Sequence, residues 1–318
     1  MRSYINDSTD PYFNLAAEQF LLDTEPEPVF MLWRNSASVI IGRNQNAYAE
    51  IDREFVAANE IAVVRRLTGG GAVFHDTGNL NYTFIVPDDR SGLDFARFCA
   101  PVIELLRSLG VPAEFTGRND MTADGRKFSG NAQCVYNGKV MHHGTLLFSA
   151  DFSRMSGALC VDPDKMVSKG IKSVRSRVCN LNEYLPGMTV TGFRDLLQNT
   201  LCPETAEFSE AQRAGIERLR DEKYSTWEWN YGRSGQYGKN VKKRFPFGTV
   251  SLSYDSDRGR LTGVRFEGDF FGVLPVSGLE ESLKGVRLEH GELMRALYGC
   301  DDFIRGSEPG QLCAMFED

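Results

Sequence analysis

The sequence predicts an α+β protein with a second, smaller unit at its C-terminal end. Apolar runs of strand length recur in the first half of the chain, at Val29–Trp33, Val39–Ile41, Ile61–Val64 and Leu80–Val86. Helical patterns stand between groups of these runs and do not alternate with each of them, which favours α+β over a regular βαβ repeat. The apolar pattern weakens after about residue 185, and alternating strand signals resume at Phe247.

Helix signals in the first half are local and regular. Asp10 can cap a helix that begins at Pro11, and Pro26 and Pro28 would end it. A shorter pattern at 51–58 also suggests a helix. The most regular amphipathic pattern ends at Gly110, and its apolar face is formed by Phe95, Phe98, Val102, Leu105, Leu106 and Leu109. Thr145–Phe148 reads as a further strand.

The C-terminal third begins with a polar helical stretch at Glu204–Glu222. The basic run Lys239–Arg244 is interpreted as a solvated linker, with a ligand-contacting patch as the alternative. A strand at 247–254, a turn at 257–260, a second strand through 266 and helices near 279–284 and 289–297 follow it. We therefore divide the chain into a catalytic domain at 1–245 and an accessory domain at 246–318.

Composition excludes several classes of protein. Thirty-six Lys and Arg against 43 Asp and Glu give a net charge of −7, which argues against phosphate-driven nucleic-acid binding. No apolar run approaches the roughly 18 residues of a membrane span, so no membrane partner is expected. Seven scattered cysteines predict a reducing, cytoplasmic location, and four histidines without ligand spacing predict no metal site.

The densest chemical signal is the segment Arg65–Asp76, which contains Gly69, Gly70 and Gly71. Its spacing fits neither a dinucleotide fingerprint nor a phosphate-binding P-loop. Three glycines allow backbone N–H groups to approach a phosphate or carboxylate, and the arginines at 65 and 66 would supply positive charge. Anion binding is the first interpretation, and a structural turn is the alternative.

Two further segments contain polar side chains that could contribute to an anion-binding site. In the stretch 117–132, the Asp-Gly pair at 124–125 predicts a tight turn, so that Lys127 begins the strand that follows. Small residues at 129–130 would let a ligand reach its ammonium group. His142 and His143 are neighbours on a predicted strand and must point to opposite faces, so one of them is expected beside a pocket.

In this order and spacing, the segments resemble the lipoate–protein ligases of the biotin/lipoate ligase superfamily. The combination of Arg-Arg-x-x-Gly-Gly-Gly-Ala-Val-Phe-His-Asp, Gly-Arg-Asn-Asp, Lys-x-Ser-Gly and His-Gly-Thr-Leu is specific, although each part alone is weak. The resemblance continues through 168–178, 180–181 and 227–230 into the C-terminal unit. It implies a mixed sheet flanked by helices, followed by a small α+β domain.

The resemblance also implies a reaction. Lipoate would be activated with ATP and Mg²⁺ to lipoyl-AMP, with release of pyrophosphate. The lipoyl group would then pass to a lysine of lipoyl-domain proteins. The acceptors implied are the acyltransferase subunits of 2-oxoacid dehydrogenases and the glycine-cleavage H protein.

The residue-by-residue match with the family implies the following site. ATP would be bound by Arg66, Gly71, Ala72, Val73, Phe74 and Lys127, and lipoate by Gly70, His75 and Lys127. Lys127 would offset the repulsion between carboxylate and phosphate, acting by electrostatics and not as a nucleophile. The loop Lys169–Arg177 would close over the adenylate or, alternatively, be an exposed loop, and Asp120 is either a Mg²⁺ contact or part of a turn. Val73, Phe74, Phe84 and Leu147 are tunnel candidates that serve equally well as core residues.

Three rival functions remain open at this level. An octanoyltransferase on the same fold would need a cysteine nucleophile, for which Cys160 is the candidate. A transferase using a preformed adenylate or protein-bound lipoyl would share the catalytic domain. A lipoate-binding regulator would keep the pocket but would not need Lys127. Release of pyrophosphate with lipoate and ATP alone distinguishes a ligase from all three.

Overall fold

The computed structural model describes residues 1–89, 92–160, 177–232 and 237–317. Its strands are β1 Arg2–Ile5, β2 Val29–Trp33, β3 Ser38–Ile41, β4 Ala62–Arg65, β5 Val73–His75, β6 Asn79–Pro87, β7 Ala113–Thr116, β8 Asp120–Ala123, β9 Arg126–Tyr136, β10 Lys139–Leu147, β11 Thr205–Ala206, β12 Lys239–Phe245, β13 Gly248–Asp257 and β14 Arg260–Gly268. Its helices are α1 Pro11–Thr24, α2 Ala47–Glu50, α3 Arg53–Ala58, α4 Phe95–Ser108, α5 Phe152–Ala158, α6 Val190–Leu201, α7 Glu210–Leu219, α8 Trp227–Asn230, α9 Ser277–Ser282, α10 His290–Ala296 and α11 Pro309–Glu317.

A mixed sheet is the frame of the larger part of the chain. Within the described residues its strand order is β11-β1-β2-β6-β10-β9-β8-β7, with parallel pairs at one edge and antiparallel pairs elsewhere. Helix α4 covers one face through a core that includes Phe98, Val102 and Leu106. Helix α1 covers the other face, where Leu15 and Leu21 pack with Trp33. The predicted α+β class is confirmed.

A small three-stranded sheet stands against the α1 face. Its order is β4-β3-β5, and Ile40 and Val64 share the core of α1 and β2. The loop that joins β4 to β5 contains the three consecutive glycines. This loop is therefore held next to the face of the large sheet that α1 covers.

The C-terminal unit is an antiparallel sheet with order β12-β13-β14 and a core shared with α9, α10 and α11. The interpretation of Lys239–Arg244 as a linker is wrong, because this run is most of β12 and pairs with β13 along its whole length. The inward residues Val241 and Phe245 contact the core of the unit. The charges of β12 belong to an edge strand, where basic side chains discourage pairing with other chains.

Several elements match their sequence signals closely. Asp10 caps α1 by accepting a hydrogen bond from the Tyr12 amide, and the pattern at 95–109 forms α4. The stretch 204–222 is not one helix, since it contains β11, α7 and a π-helical turn at Arg220–Tyr224. The described residues contain no helix long and apolar enough to cross a membrane.

A candidate active site at the glycine loop

A cavity of about 120 Å³ lies between the large sheet and the glycine loop. Its wall follows one row across four neighbouring strands, from Trp33 on β2 through Asn81 on β6 and Thr145 on β10 to Gly130 on β9. Three strand spacings give this row a length of about 14 Å. Leu15 and Ile40 add apolar surface to the lining.

Lys127 reaches the cavity because β9 contains a β-bulge. Met121 of β8 pairs with Ser129 and Thr122 pairs with Lys127, so that Phe128 has no partner across the strand. The bulge turns Phe128 into the α4 core and places Lys127 on the same face as Gly130. A bulge that re-aims one side chain is a common device beside active sites.

Gly130 leaves the space that the Lys127 side chain occupies. A Cβ at position 130 would lie 3.0 Å from the Lys127 Nζ atom and 3.2 Å from its Cε atom. The ammonium forms an ion pair of 2.7 Å with the carboxylate of Asp120, whose strand position is opposite Gly130. Both side chains keep more than a third of their surface exposed, so the pair lies where the cavity meets solvent.

Arg66 holds the glycine loop in its conformation. Its guanidinium donates to the carbonyl oxygens of Gly69 at 2.7 Å, Gly71 at 2.8 Å and Ile40 at 3.0 Å. Burial lowers the pKa of Arg66 to about 10, which still leaves it cationic at neutral pH. In this structure its hydrogen bonds therefore position the loop, while its side chain also lines the cavity.

Arg65 was expected beside the same anion, and that expectation is wrong. Its fully buried guanidinium donates to five backbone carbonyls, among them those of Gly42 at 2.9 Å and Asn230 at 2.8 Å. Arg65 ends β4, and neighbouring residues of a strand point to opposite faces. Arg65 and Arg66 could therefore not both face the cavity.

A buried hydrogen-bond chain connects the loop to α1. Arg66 Nε donates to Thr68 Oγ1 at 3.0 Å, and Thr68 Oγ1 lies 2.8 Å from His143 Nε2. His143 Nδ1 lies 2.8 Å from the Glu18 carboxylate, which also accepts from the Thr83 hydroxyl at 2.6 Å. The carboxylate requires a proton on His143 Nδ1, and the Thr68 hydroxyl occupies Nε2. Both ring nitrogens of His143 are thus occupied.

The two neighbouring histidines face opposite sides of the sheet, as the strand alternation predicts. His143 lines the cavity, and His142 stacks on Phe98 with ring centroids 4.9 Å apart. Tyr82 and Phe95 also contact the His142 ring. Burial lowers the pKa of His142 well below its ordinary value, and that ring is neutral at physiological pH.

The structure brings most of the predicted site residues to one cavity, whose lining includes Arg66, Gly70, Gly71, Ala72, Val73, His75 and Lys127. Phe74 lies outside that lining, since its side chain packs with Val39 and Ile41 on the far side of the small sheet. Of the tunnel candidates, Val73 lines the cavity, while Phe84 belongs to the α4 core and Leu147 is buried outside the lining.

Some lining residues have no signal in the sequence. Leu15, Trp33, Ile40 and Asn81 carry no motif, and only strand register and helix packing place them together. The predicted loop Lys169–Arg177 lies outside the described residues except for Arg177, so the structure does not place it.

Cys160 does not line the cavity. It is exposed just after α5, and its amide donates to the Glu50 carbonyl oxygen. Desolvation, followed by the charges of Asp52 and Glu50, raises the pKa of its thiol. A nucleophilic cysteine requires the opposite shift.

One group of metal-ligand type comes together in the described part of the chain, formed by His290, Cys313 and Glu317 of the C-terminal unit. None of these residues lines the cavity. His290 and Glu317 are both exposed, and their 2.8 Å contact is an ordinary surface hydrogen bond.

The C-terminal unit touches the glycine loop directly. The Gly70 amide donates to the Phe270 carbonyl oxygen at 3.2 Å, and the buried Phe271 ring packs against Phe95 at 5.2 Å. The guanidinium of Arg118 lies 5.0 Å from the centre of the Phe271 ring. One face of the loop is therefore covered by this unit.

Two family models match the chain. The lipoyl protein ligase A/B catalytic domain matches residues 10–202, and the bacterial lipoate protein ligase C-terminus matches residues 234–316. Lipoate–protein ligase 1 of Staphylococcus aureus is 40% identical over 300 residues, which cover 92% of each chain. Lipoate-protein ligase LplJ of Bacillus subtilis is 43% identical over 302 residues, which cover 91% of each chain.

Solved structures show the same architecture. P. falciparum LipL1 in complex with lipoate has a TM-score of 0.83 at 22% identity, over 100% of this chain and 99% of that chain, which is a likeness in fold. A lipoate-protein ligase A bound with ATP has a TM-score of 0.62 at 26% identity, over 73% of this chain and 98% of that chain.

Proposed function

The chain belongs to the lipoate–protein ligase family, and on that premise we propose that it activates lipoate with ATP and transfers the lipoyl group to protein lysines. The observation that carries this proposal is the cavity. It extends along one row of residues in the sheet, from the exposed ammonium of Lys127 to the buried apolar wall at Trp33. A medium-chain acid fits such a shape, with its carboxylate at Lys127 and its chain along the row.

The first half-reaction would form lipoyl-AMP. A lipoate carboxylate oxygen attacks the α-phosphorus of ATP, the new C–O–P bond forms, and pyrophosphate leaves with its electron pair. Lys127 would lie where both anions meet, and its charge would offset their repulsion and the charge that grows in the transition state. We propose that Gly71, Ala72 and Val73, which line the cavity, bind the nucleotide through the backbone of the loop, and that Phe74 contributes through its backbone alone.

Arg66 has a double role in this proposal. Its hydrogen bonds to Gly69 and Gly71 fix the loop, and its buried cationic charge raises the positive potential of the cavity. Gly70 and His75 would line the lipoyl side, beside the carboxylate and the chain respectively.

Magnesium enters with the nucleotide and would neutralise phosphate charge. The described lining residues include no carboxylate, which fits an ion held chiefly by phosphate oxygens. Asp120, at the solvent side of Lys127, is the protein oxygen that we propose for it.

The second half-reaction would be aminolysis. The ε-amine of the acceptor lysine attacks the carbonyl carbon of the mixed anhydride, AMP leaves, and the amine loses a proton. The proposed acceptors are the lipoyl domains of 2-oxoacid dehydrogenase acyltransferase subunits and the glycine-cleavage H protein. Seven free cysteines suit the reducing cytoplasm in which such acceptors occur.

Incubation of the purified protein with ATP, Mg²⁺, lipoate and apo-acceptors tests the proposal, with intact mass as the readout. We expect the mass of a lipoyl amide on the acceptor and one pyrophosphate per transfer. Transfer from lipoyl-AMP but not from lipoate and ATP would instead indicate the rival transferase. Binding of lipoate without either reaction would indicate the regulator.

A further inference from the structure

Within the described residues, His75 lines the cavity and carries a ring nitrogen, Nε2, that has no hydrogen-bond partner. We propose that its Nε2–H group determines acyl specificity, by favouring a chain end that carries a hydrogen-bond acceptor over a hydrocarbon end. The dithiolane sulfurs of lipoate are such acceptors, and the ring carbons of an isosteric hydrocarbon are not. The inference rests on the proposed function, since it assumes that the cavity binds the acyl chain.

The hydrogen bonds behind the ring fix the position of its proton. Asn14 Nδ2 faces the carbonyl oxygens of Ser8 at 3.0 Å and Arg34 at 2.8 Å, which can only accept. The Asn14 atom that contacts these two carbonyl oxygens is therefore its amide nitrogen. The Asn35 atom that lies 2.8 Å from this nitrogen must accept from it, so it is the amide oxygen. Asn35 then turns its Nδ2 to His75 Nδ1 at 3.0 Å, so Nδ1 accepts and the proton lies on Nε2.

This donor has no protein acceptor among the described residues. The His75 side chain is buried, with 3% of its surface exposed, and its Nε2 atom has no hydrogen-bond partner in that part of the chain. Burial, reinforced by the Arg66 guanidinium and the neighbouring His143 ring, lowers the pKa of His75 to about 3, so the ring is neutral with one N–H. Its Nδ1 edge faces Asn35, which does not line the cavity, whereas the His75 side chain does line it.

The surroundings place this donor at the apolar end of the site. The His75 and Trp33 rings meet edge to face with centroids 5.9 Å apart, and Ile40 pairs with Val73 two residues before His75. Asn81 lines the same end, where its Oδ1 accepts from Asn79 and its Nδ2 has no partner among the described residues. Lys127 lies three strands away from Trp33 along the row.

A ligand that displaces water from this end must satisfy the donor or leave it unpaired. An unpaired buried N–H is costly, and a hydrocarbon end cannot relieve that cost. A sulfur is a weak acceptor, so the expected preference is modest and not absolute. His143 cannot serve in the same way, because Thr68 and Glu18 occupy both of its nitrogens.

The test compares lipoate with 5-cyclopentylpentanoate, in which methylene groups replace both sulfurs. Pyrophosphate release with ATP and no acceptor gives kcat/KM for each acid. We expect the wild-type protein to prefer lipoate by roughly five- to tenfold, and His75→Phe to reduce the ratio to about two or less. Because both acids are measured on the same sample, the ratio of their kcat/KM values does not depend on the fraction of protein that is active. The surface variant His290→Phe should keep the wild-type ratio.

A second ligand keeps the test decisive if His75→Phe does not fold. The ether 5-(oxolan-3-yl)pentanoate carries an oxygen acceptor in the same ring size, and the wild-type protein should activate it at least as fast as the cyclopentyl acid. Equal activation of lipoate and its cyclopentyl isostere, or an unchanged ratio in His75→Phe, would overturn the inference alone. Absence of pyrophosphate with every acid would overturn the proposed function and this inference together.

Discussion

The amide of Gly70 donates a hydrogen bond of 3.2 Å to the carbonyl oxygen of Phe270. This bond joins the glycine loop to the C-terminal unit across 200 residues of sequence. Gly70 has a φ of +88°, which side chains with a Cβ rarely adopt, and a Cβ there would lie 3.0 Å from the Phe271 ring. Both the conformation of the glycine loop and its contact with the C-terminal unit therefore depend on Gly70.

The first prediction separates the backbone strain at Gly70 from its contacts. Gly70→Ala and Gly110→Ala both introduce a Cβ at positive φ, +88° and +83°, but no atom of the described residues lies within 4 Å of the Cβ at position 110. The positive φ alone should cost each variant about 1 kcal/mol of unfolding free energy, and the tight contacts of the Cβ at position 70 should add to that cost in Gly70→Ala. Only Gly70→Ala should also weaken ATP and lipoate binding, by about tenfold. Calorimetry with each ligand measures this, and equal affinities in the two variants would mean that the glycines form only a turn.

The second prediction concerns the role of the C-terminal unit. Phe271→Ala should slow formation of lipoyl-AMP by about tenfold or more, because a closing unit completes and dries the site for the charged step. Transfer from supplied lipoyl-AMP should stay within about threefold, since docking of an acceptor needs an open face. Tyr298→Ala, an exposed aromatic residue of the same unit, is the control. Equal loss in both half-reactions would make the unit a stabilising appendage.

The pairing of strands in the C-terminal unit also shows where the chain must end in a truncation that removes this unit. Because β12 begins at Lys239 and pairs with β13, a chain that ends after Arg244 would carry an unpaired strand. A chain that ends after Gly232 removes the whole sheet.

The sequence predicted the elements whose signals are local. Val29–Trp33 and the α4 pattern appear as expected, because an apolar run or a 3.6-residue period needs no partner to be recognised. Strand β12 was missed because the basic residues around Val241 and Phe245 obscure their alternation. Helices α6 and α11 were not recognised either, although each carries an apolar face.

The sequence predicted the site residues that belong to a motif, but not those that are brought to the cavity by the pairing register of the strands. Lys127 could be placed on a strand after a turn, but not on the cavity face, because that depends on the bulge at Phe128. The pairing of Glu18 with His143 spans 125 residues and leaves no trace in the sequence. The opposite directions of Arg65 and Arg66, in contrast, followed from strand alternation and could have been predicted.

The third prediction is that Cys160→Ser keeps at least half of the lipoyl transfer activity. A thioester enzyme would lose nearly all activity, because a serine hydroxyl is a far poorer nucleophile than a thiolate. Cys160 lies outside the cavity lining and the pKa of its thiol is raised, so we assign it no step. Loss of transfer together with an acyl adduct on wild-type Cys160, found by peptide mass, would support the octanoyltransferase instead.

The fourth prediction is a dependence of stability on pH. His142 is buried among Phe95, Phe98 and Tyr82, and its pKa in the folded state is well below 6.5. Below about pH 6.5, the unfolded state binds a proton at His142 and the folded state does not. The contribution of the neutral His142 to the free energy of unfolding is therefore complete above that pH and is lost as the pH falls. For a strongly depressed pKa this loss is about 1 kcal/mol between pH 7 and pH 5.5.

His142→Phe should remove that part of the acid sensitivity, because phenylalanine takes up no proton and suits an aromatic surrounding. Urea unfolding at pH 7, 6 and 5.5 compares the two proteins. The difference between their unfolding free energies should change in favour of the variant, by about 1 kcal/mol, as the pH falls from 7 to 5.5. Parallel curves would mean that His142 is protonated in the folded protein.

The central claim is that Lys127 brings a carboxylate and a nucleotide together, and adenylation without an acceptor tests it most directly. Pyrophosphate release from lipoate and ATP should fall by about 10²–10³ in Lys127→Met, the usual effect of losing one preorganised electrostatic contact. Lys284→Met, which changes an exposed lysine of the C-terminal unit, should behave as wild type, and circular dichroism checks both folds. A Lys127→Met protein that is folded and still releases pyrophosphate at a near wild-type rate would contradict the account.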